Sequence, residues 1–318
     1  MSITKNHQSP EALHALCSAA FPGQAVASVT ELTEGMFNAA YRIDFADGSA
    51  SVLKIAAPDA NGLMSNEINL MQAEVRAMEL LHAHGIPHVA RVQHADFTRT
   101  LCSGSYFFME CLPGQSLNSL RETLSAEETN HVMQQVGQFQ RRLTDIRGDG
   151  FGLLGDTNRF PSLYELIRFL FENVLKDASA VDVDFGFTAG ELFRRLDADH
   201  AIFDEVRIPT LVHWDMWEGN IFVQQGELSG VIDWERAMWG EAFMDDRFRR
   251  HNRHPAFLEG FGRTEFTPAE LRRMAWYDLF LYLTMSTECF YRQYEDIPGT
   301  LGWLRPLVDA AWADLCGG

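Results

Sequence analysis

Cysteine is scarce in this 318-residue chain, and the five present (Cys17, Cys102, Cys111, Cys289, Cys316) form no C-x-x-C pair. An odd, scattered set argues against a disulfide framework or a zinc site and points to reduced thiols in a cytoplasmic protein. Long apolar runs are missing as well. No stretch reaches the roughly 18 residues that a membrane span needs. The opening MSITKNHQSPEALHALCSAAF has no basic segment leading into an apolar core, so no secretory signal is expected. Positive charge is short: 26 Lys and Arg stand against 44 Asp and Glu, a formal net charge of −18. That balance disfavours nucleic acid, whose phosphates call for clustered basic residues. It suits a cationic or polyhydroxylated ligand drawn by a negative field, although solubility alone accounts for it. No internal repeat or low-complexity segment is evident. A G-x-G-x-x-G run, Gly150 to Gly155, has no strand before it and no helix directly after it. It is therefore read as a loop and not as a dinucleotide site.

What is present is a globular composition, 46% hydrophobic and 22% charged, in a chain long enough for one large or two ordinary domains. Apolar periodicity predicts a helix over 10–20, then strands over 25–32, 39–45 and 50–56, with an Asp47-Gly48 hairpin signal between the last two. A helix follows over about 65–84, stopped by Gly85 and Pro87, then strands over 91–97 and 105–111. Lys54 lies in the otherwise uncharged run Val52-Leu53-Lys54-Ile55, and a lone strand lysine ordinarily faces solvent. Pro113-Gly114 breaks the fifth strand, and beyond it the pattern turns helical over 125–144, 162–177, 189–205, 268–292 and 301–315. Ser125 with Glu128 has capping-box spacing. Arg247, Arg249, Arg250 and Arg253 with His251 and His254 read as a solvated face balancing acidic neighbours.

The most informative stretch is LVHWDMWEGNIFVQQGELSGVIDWE, residues 211–235. Two short apolar segments around a Gly-containing turn read as a β-hairpin. Asn220 would precede its first strand and Asp233 follow its second, so antiparallel pairing brings an amide oxygen and a carboxylate together, with Asp215 on the loop leading in. Hard oxygen donors gathered in this way suit Mg²⁺. Taken one at a time, these residues would be a buried histidine and turn-forming aspartates around an ordinary hairpin.

The spacing from Asp215 to Asn220 and from Asn220 to Asp233 resembles the catalytic and metal-binding loops of the protein-kinase-like fold. The wording HWDMWEGN followed by IDWE is similar to the aminoglycoside phosphotransferase and choline kinase branch, which phosphorylates small molecules. That resemblance, running from Gly35 to Asp245, implies a two-lobed α+β fold: a five-stranded antiparallel N-lobe over 1–111, binding nucleotide, and a mostly helical catalytic and substrate-binding C-lobe over 112–318. It implies Asp215 as the base that accepts the hydroxyl proton, Asn220 and Asp233 as Mg²⁺ ligands, and Lys54 as the contact to the phosphates of ATP or GTP. Glu74, favoured over Glu67, would steady Lys54. Gly35 and Asn38, in the turn Glu34 to Asn38, would cover the phosphates, and hinge backbone at Glu110 and Leu112 would hold the base. His213 would brace the loop, and Asp245 would support it as a helix N-cap. Trp214 stands where this branch commonly has Gly. It would either wall the acceptor pocket or pack inward, and Trp217, Glu218 and Glu235 are the other acceptor candidates.

The implied activity is transfer of a γ-phosphoryl group to a hydroxyl of a small acceptor. Aminoglycosides, macrolides, choline or ethanolamine, amino-acid alcohols, sugars and fructosamines are all admissible, and the acidity tilts the choice toward a cationic one. Two rivals compete. A catalytically silent kinase-like protein would be expected to lack one of Lys54, Asp215, Asn220 or Asp233, and a metal-dependent hydrolase using His213, Asp215 and Asp233 would need further metal ligands.

Overall fold

A computed structural model of the chain describes residues 5–33, 35, 37–57 and 62–317. Helix α1 (Pro10–Ala20) opens it, followed by strands β1 (Val26–Leu32), β2 (Ala39–Phe45) and β3 (Ala50–Ile55). Helix α2 (Leu70–Ala83) then leads to β4 (Val92–Asp96) and β5 (Tyr106–Glu110). The five strands form one antiparallel sheet in the order β1-β2-β3-β5-β4. Side chains alternate across a strand, and β3 shows the consequence. Leu53 and Ile55 pack with Leu13 and Leu16 of α1, while Val52 joins Val75, Met78 and Leu81 of α2. Lys54 shares the parity of Val52 and so projects on the α2 side of the sheet. This strand lysine is buried.

Pro113 and Gly114 end the N-lobe. Gly114 has φ +97°, and a Cβ there would lie 2.2 Å from the Val223 carbonyl oxygen, so this turn requires glycine. Strand β6 (Gln115–Ser116) follows, then α3 (Ala126–Leu143), whose N-terminus carries the Ser125–Glu128 capping box. A two-residue strand β7 (Gly152–Leu153) occupies the middle of the G-x-G-x-x-G run, read as a loop from sequence, and pairs with a later strand at Met238 and Trp239. Helix α4 (Leu163–Ala180) comes next. The single helix expected over 189–205 is broken at Asp199 into α5 (Ala189–Ala198) and α6 (His200–Phe203). Asp199 accepts hydrogen bonds from Trp276 and Arg272, which fixes the break.

Strand β8 (Thr210–Val212) enters the hairpin of β9 (Ile221–Gln224) and β10 (Glu227–Val231). Its turn residues Gln225 and Gly226 both have positive φ, as a tight two-residue hairpin demands. β6 adds to β9 on one edge, so the chain leaving the hinge is hydrogen-bonded to the hairpin. Strand β11 (Met238–Gly240) joins β7 and β8 in a third sheet. Helices α7 (Pro255–Phe261), α8 (Pro268–Tyr291) and α9 (Ile297–Cys316) complete the fold, with α8 apolar on nearly every side and buried at the centre of the C-lobe. The two-lobed α+β architecture matches the expectation. Among the described residues no helix is long and apolar enough to cross a membrane.

Helix α2 starts at Leu70, five residues later than the pattern predicts, because the residues before it are used elsewhere. Asp177 of α4 accepts bonds from the Ser65 amide (2.7 Å) and hydroxyl (2.6 Å). The Asn66 amide donates to the Leu170 carbonyl at 3.1 Å, and Asn69 to that of Gly155 at 3.0 Å. This segment straps the N-lobe to the C-lobe. Removing a buried acceptor strands its donors, at a cost of about 1–3 kcal/mol. Asp177→Ala is therefore expected to lower the unfolding free energy by about that amount in urea titrations; an unchanged midpoint would show that the strap adds nothing to stability.

Candidate active site

The site assembles from three elements. Lys54 on β3 donates from Nζ to Glu74 of α2 at 2.9 and 2.7 Å, and to Asp233 Oδ1 at 2.7 Å. Glu74 is thus the partner of Lys54. Burial alone would lower the pKa of the Lys54 ammonium, but Asp233 and Glu74 beside it override that and hold it protonated. Glu235 lies in the same cluster, and oxygens of Glu74, Asp233 and Glu235 fall within 4.8 Å of one another. Burial, reinforced by Asp233, pushes the Glu235 carboxyl up to about 8. Its Oε2 accepts from the Asn38 amide at 2.7 Å. Asn38 therefore reaches the carboxylate cluster from the β1–β2 turn, and Glu235 sits on that side, not on an exposed acceptor surface. Gly35 is exposed in the same turn, while Glu34 and Met36 lie outside the described residues.

The backbone of Asp215 is held by the side chains of Asn220 and His213. Asn220 donates from its side-chain amide to the Asp215 carbonyl at 2.8 Å, which leaves the Asn220 Oδ1 as a lone-pair donor. The Ile232 amide donates to the Asn220 carbonyl at 3.0 Å, joining the two ends of the hairpin next to Asp233. His213 is wholly buried and spans both loops. Its Nδ1 accepts from the Asp215 amide at 3.2 Å, so Nε2 carries the proton and donates to the Ile232 carbonyl at 2.9 Å. Both ring nitrogens are engaged on backbone, which makes His213 a brace and no metal ligand. Burial drives its pKa down to about 4. Burial also raises the Asp215 carboxyl, to about 8, against the lowering effect of Arg236 and with the support of Asp233, Asp246 and Glu288.

Trp214 packs inward. It is 7% exposed, its ring lies 6.0 Å from Phe280, and the Arg236 guanidinium sits 5.2 Å above it. Its φ is +75°, a left-handed backbone that favours glycine, the residue common in the resembling branch. Asp245 holds that conformation by accepting from the Trp214 amide at 3.1 Å, and the Asp246 amide donates to the Trp214 carbonyl at 3.1 Å. Asp245 does cap a short 3₁₀ turn, as expected of it. Trp217 is 42% exposed and Glu218 half-buried beside it. At the hinge, Leu112 packs on Gly230, and the Glu110 carboxylate accepts from the Arg91 amide at 3.0 Å.

Sequence reasoning missed a buried network. Glu67, the rejected partner of Lys54, accepts instead from Arg236 at 2.8 Å and from Arg292. Glu288 of α8 pairs with Arg236 at 2.7 Å and with Arg292 at 2.8 Å. The Arg292 guanidinium covers the Phe37 ring at 4.3 Å, so the β1–β2 turn also touches α8. Glu288 and Arg292 are four residues apart on one helix face, the only local signal available. The basic patch expected as a solvated face needs correction at two positions: Arg250 and His251 are exposed, but Arg247 and Arg249 are each 1% exposed and lie within the core. Their apolar neighbours Phe243, Phe248 and Phe257 form the interior here, and the Arg249 charge is met by the Met274 carbonyl and Asp278.

The model of the phosphotransferase enzyme family matches residues 28–277. The chain belongs to that family. Among solved structures it is similar to a thermostable variant of aminoglycoside phosphotransferase APH(4)-Ia in ternary complex with AMP-PNP and hygromycin B, with TM-score 0.68, 18% identity, and 94% of this chain and 97% of that one covered. A variant of aminoglycoside 2′-phosphotransferase-IIIa bound to GDP gives TM-score 0.68 at 17% identity, covering 96% and 100%. These likenesses carry the protein-kinase-like fold. No curated protein matches the chain.

Two outcomes follow from this geometry. A histidine held neutral by burial binds its proton less readily folded than unfolded, so its stabilisation is full above pH 6.5 and is lost as pH falls toward 4. The His213 contribution should shrink by on the order of 3 kcal/mol across that window, against the opposite effect of the raised Asp215 and Glu235 carboxyls. Wild type should therefore lose stability relative to His213→Gln as calorimetry runs from pH 7 to pH 4. Trp214→Gly relieves about 1–2 kcal/mol of left-handed strain but removes a buried indole worth about 3–5 kcal/mol. A net loss of roughly 2–3 kcal/mol is expected, and a variant more stable than wild type would mean that strain outweighs packing.

Proposed function

We propose that this phosphotransferase is a small-molecule kinase that moves the γ-phosphoryl group of ATP or GTP to a hydroxyl of a small acceptor. The observation that carries the reading is the convergence of Lys54, Glu74 and Asp233 in one ion-paired cluster, with Asp215 tethered through Asn220 to the same hairpin. Residues 1–111 are assigned to nucleotide binding, with Gly35 and Asn38 near the phosphates and backbone at Glu110 and Leu112 near the base. Residues 112–318 are assigned to catalysis and acceptor binding.

The donor set fits Mg²⁺. Asn220 has an amide oxygen with no hydrogen bond among the described residues, and the carboxyl groups of Glu74, Asp233 and Glu235 meet around a single ammonium, a set of hard oxygens that a dication suits. Asn220 and Asp233 would hold the ion, which when bound neutralises charge developing on the phosphates. Lys54 positions the phosphates. Asp215 takes the acceptor's hydroxyl proton as that oxygen bonds to the γ-phosphorus and the bond from γ-phosphorus to the β–γ bridging oxygen breaks, leaving a nucleoside diphosphate and a phosphorylated acceptor. Trp217 and Glu218 offer an exposed aromatic face and a carboxylate beside the base. With the net charge of −18, they support a cationic, polyhydroxylated acceptor such as an aminoglycoside or amino alcohol. The hydrolase alternative loses its support with His213, whose nitrogens are both occupied.

Thermal unfolding with Mg²⁺ and ATP or GTP tests the reading. Ligand at about 100 times its dissociation constant should add about 2.7 kcal/mol. Asp233→Ala should lose that gain. Asp215→Asn should keep it while phosphorylation of screened hydroxylated amines falls by about 10²–10⁴-fold. In the wild type kcat/KM should rise with pH up to about 8 and then level, as the free Asp215 carboxyl ionises. No stabilisation by either nucleotide at millimolar concentration would sink the kinase reading.

A further inference from the structure

Arg247 has no task in the scheme above, yet it is among the largest fully buried side chains of the molecule. A guanidinium with 1% exposure is costly to bury, and burial pulls its pKa down from the usual arginine range. Its surroundings do not repay that cost in the ordinary way. The Nη1 group stands 3.9 Å from the Met133 sulfur. Nη2 lies 3.6 Å from the Asp246 carboxylate and has no hydrogen bond among the described residues. The one strong bond is from Nε to the Met216 carbonyl, at 2.7 Å.

Met216 directly follows Asp215, and that bond completes a pattern. Asp245 accepts from the Trp214 amide, the Asp246 amide donates to the Trp214 carbonyl, and Arg247 donates to the Met216 carbonyl. Three consecutive residues hold the backbone on both sides of the catalytic carboxylate, while His213 and Asn220 take the amide and carbonyl of Asp215 itself. Among the described residues, the Arg247 bond is the one that fixes the Met216 carbonyl.

We infer that Arg247 is a positioning residue for the proposed phosphoryl transfer, fixing the direction of the Asp215 carboxylate through the Met216 peptide. The inference rests on the kinase reading for its catalytic consequence, but not for its structural one. A residue that acts only on direction should affect turnover and leave nucleotide binding alone, since Lys54, Glu74 and Asp233 are held by other elements.

The test compares wild type, Arg247→Met and Arg247→Lys by hydrogen exchange of the 213–217 amides and by phosphate release from Mg²⁺–ATP and Mg²⁺–GTP with water as acceptor. Methionine suits the apolar wall beside Met133 but leaves the buried Asp246 carboxylate without its guanidinium, so Arg247→Met should melt lower than wild type, and exchange and turnover are compared at a temperature where both are folded. The Trp214 and Asp215 amides should exchange at least about tenfold faster in Arg247→Met. Its kcat should fall by up to about 100-fold, with the nucleotide KM within about twofold of wild type. In Arg247→Lys a single ammonium can reach the Met216 carbonyl, and both readouts should return part of the way. Should Arg247→Met not fold, the lysine variant alone decides by an intermediate exchange rate and kcat. Unchanged loop exchange in a folded Arg247→Met variant overturns the proposal whatever the turnover. So does a kcat that falls only in step with melting temperature and is not recovered by lysine. Where the wild type releases no phosphate to water, the exchange result decides the positioning role by itself, and the kinase reading is overturned separately, by the absence of any stabilisation with Mg²⁺ and either nucleotide.

Discussion

The shared ammonium of Lys54 is the interaction on which the site depends. It joins a sheet strand, helix α2 and the loop after the hairpin in one buried contact, with Glu74 and Asp233 each at 2.7 Å. Each partner is available only because another constraint put it there. Strand alternation turns Lys54 to the α2 side, the apolar stripe of α2 brings Glu74 in with it, and hairpin pairing returns Asp233 to the same place. A buried lysine left without carboxylates would be deprotonated or driven to the surface. The two acids therefore stabilise the fold and set the charge of the site in the same contact, and burial together with their presence holds the third carboxyl, Glu235, toward its protonated form.

A second constraint is backbone geometry near Asp215. A tryptophan with φ +75° persists only where its surroundings fix it. Here the fixing groups are buried polar side chains: Asp245, His213 and Asn220 all spend hydrogen bonds on peptide groups of residues 214 and 215. Rigid support of this kind lowers the reorganisation needed when a substrate arrives. The indole itself fills space between Phe280 and Arg236 and thereby links the loop to α8.

Much of this was legible in the sequence for a physical reason: the informative residues are close along the chain and their spacing is imposed by a hairpin. Asp215, Asn220 and Asp233 needed only a turn and two short strands to be placed. Lys54 was harder, since its burial depends on α2, and the choice of Glu74 over Glu67 rested on resemblance and not on periodicity. Contacts between distant segments left no local trace. Glu67 meets Arg236 and Arg292 across 169 and 225 residues. Arg247 and Arg249 look like surface charges in a basic run, and only the packing of α3, α7 and α8 around them reveals that they are inside. Trp214 was undecided between two orientations because a side chain's direction in a strained turn follows from neighbours that spacing cannot name.

Besides the Lys54 contact, the lobes are tied through the hinge and through the strap before α2. The hinge is bound to the hairpin through β6 and through the Ser229 hydroxyl, which donates to the Pro113 carbonyl at 2.7 Å. The strap before α2 is bound to α4 through Asp177 and to α8 through Glu67, Arg236 and Arg292. Opening by hinge rotation alone would break the strap's buried ion pairs, each left with an uncompensated charge, at about 3–5 kcal/mol for a single broken pair. Wide separation of the lobes is thus opposed, and the bond from Asn38 to Glu235 and the contact of Phe37 with the Arg292 guanidinium add to the same resistance, since both join the β1–β2 side of the sheet to segments beyond the hairpin.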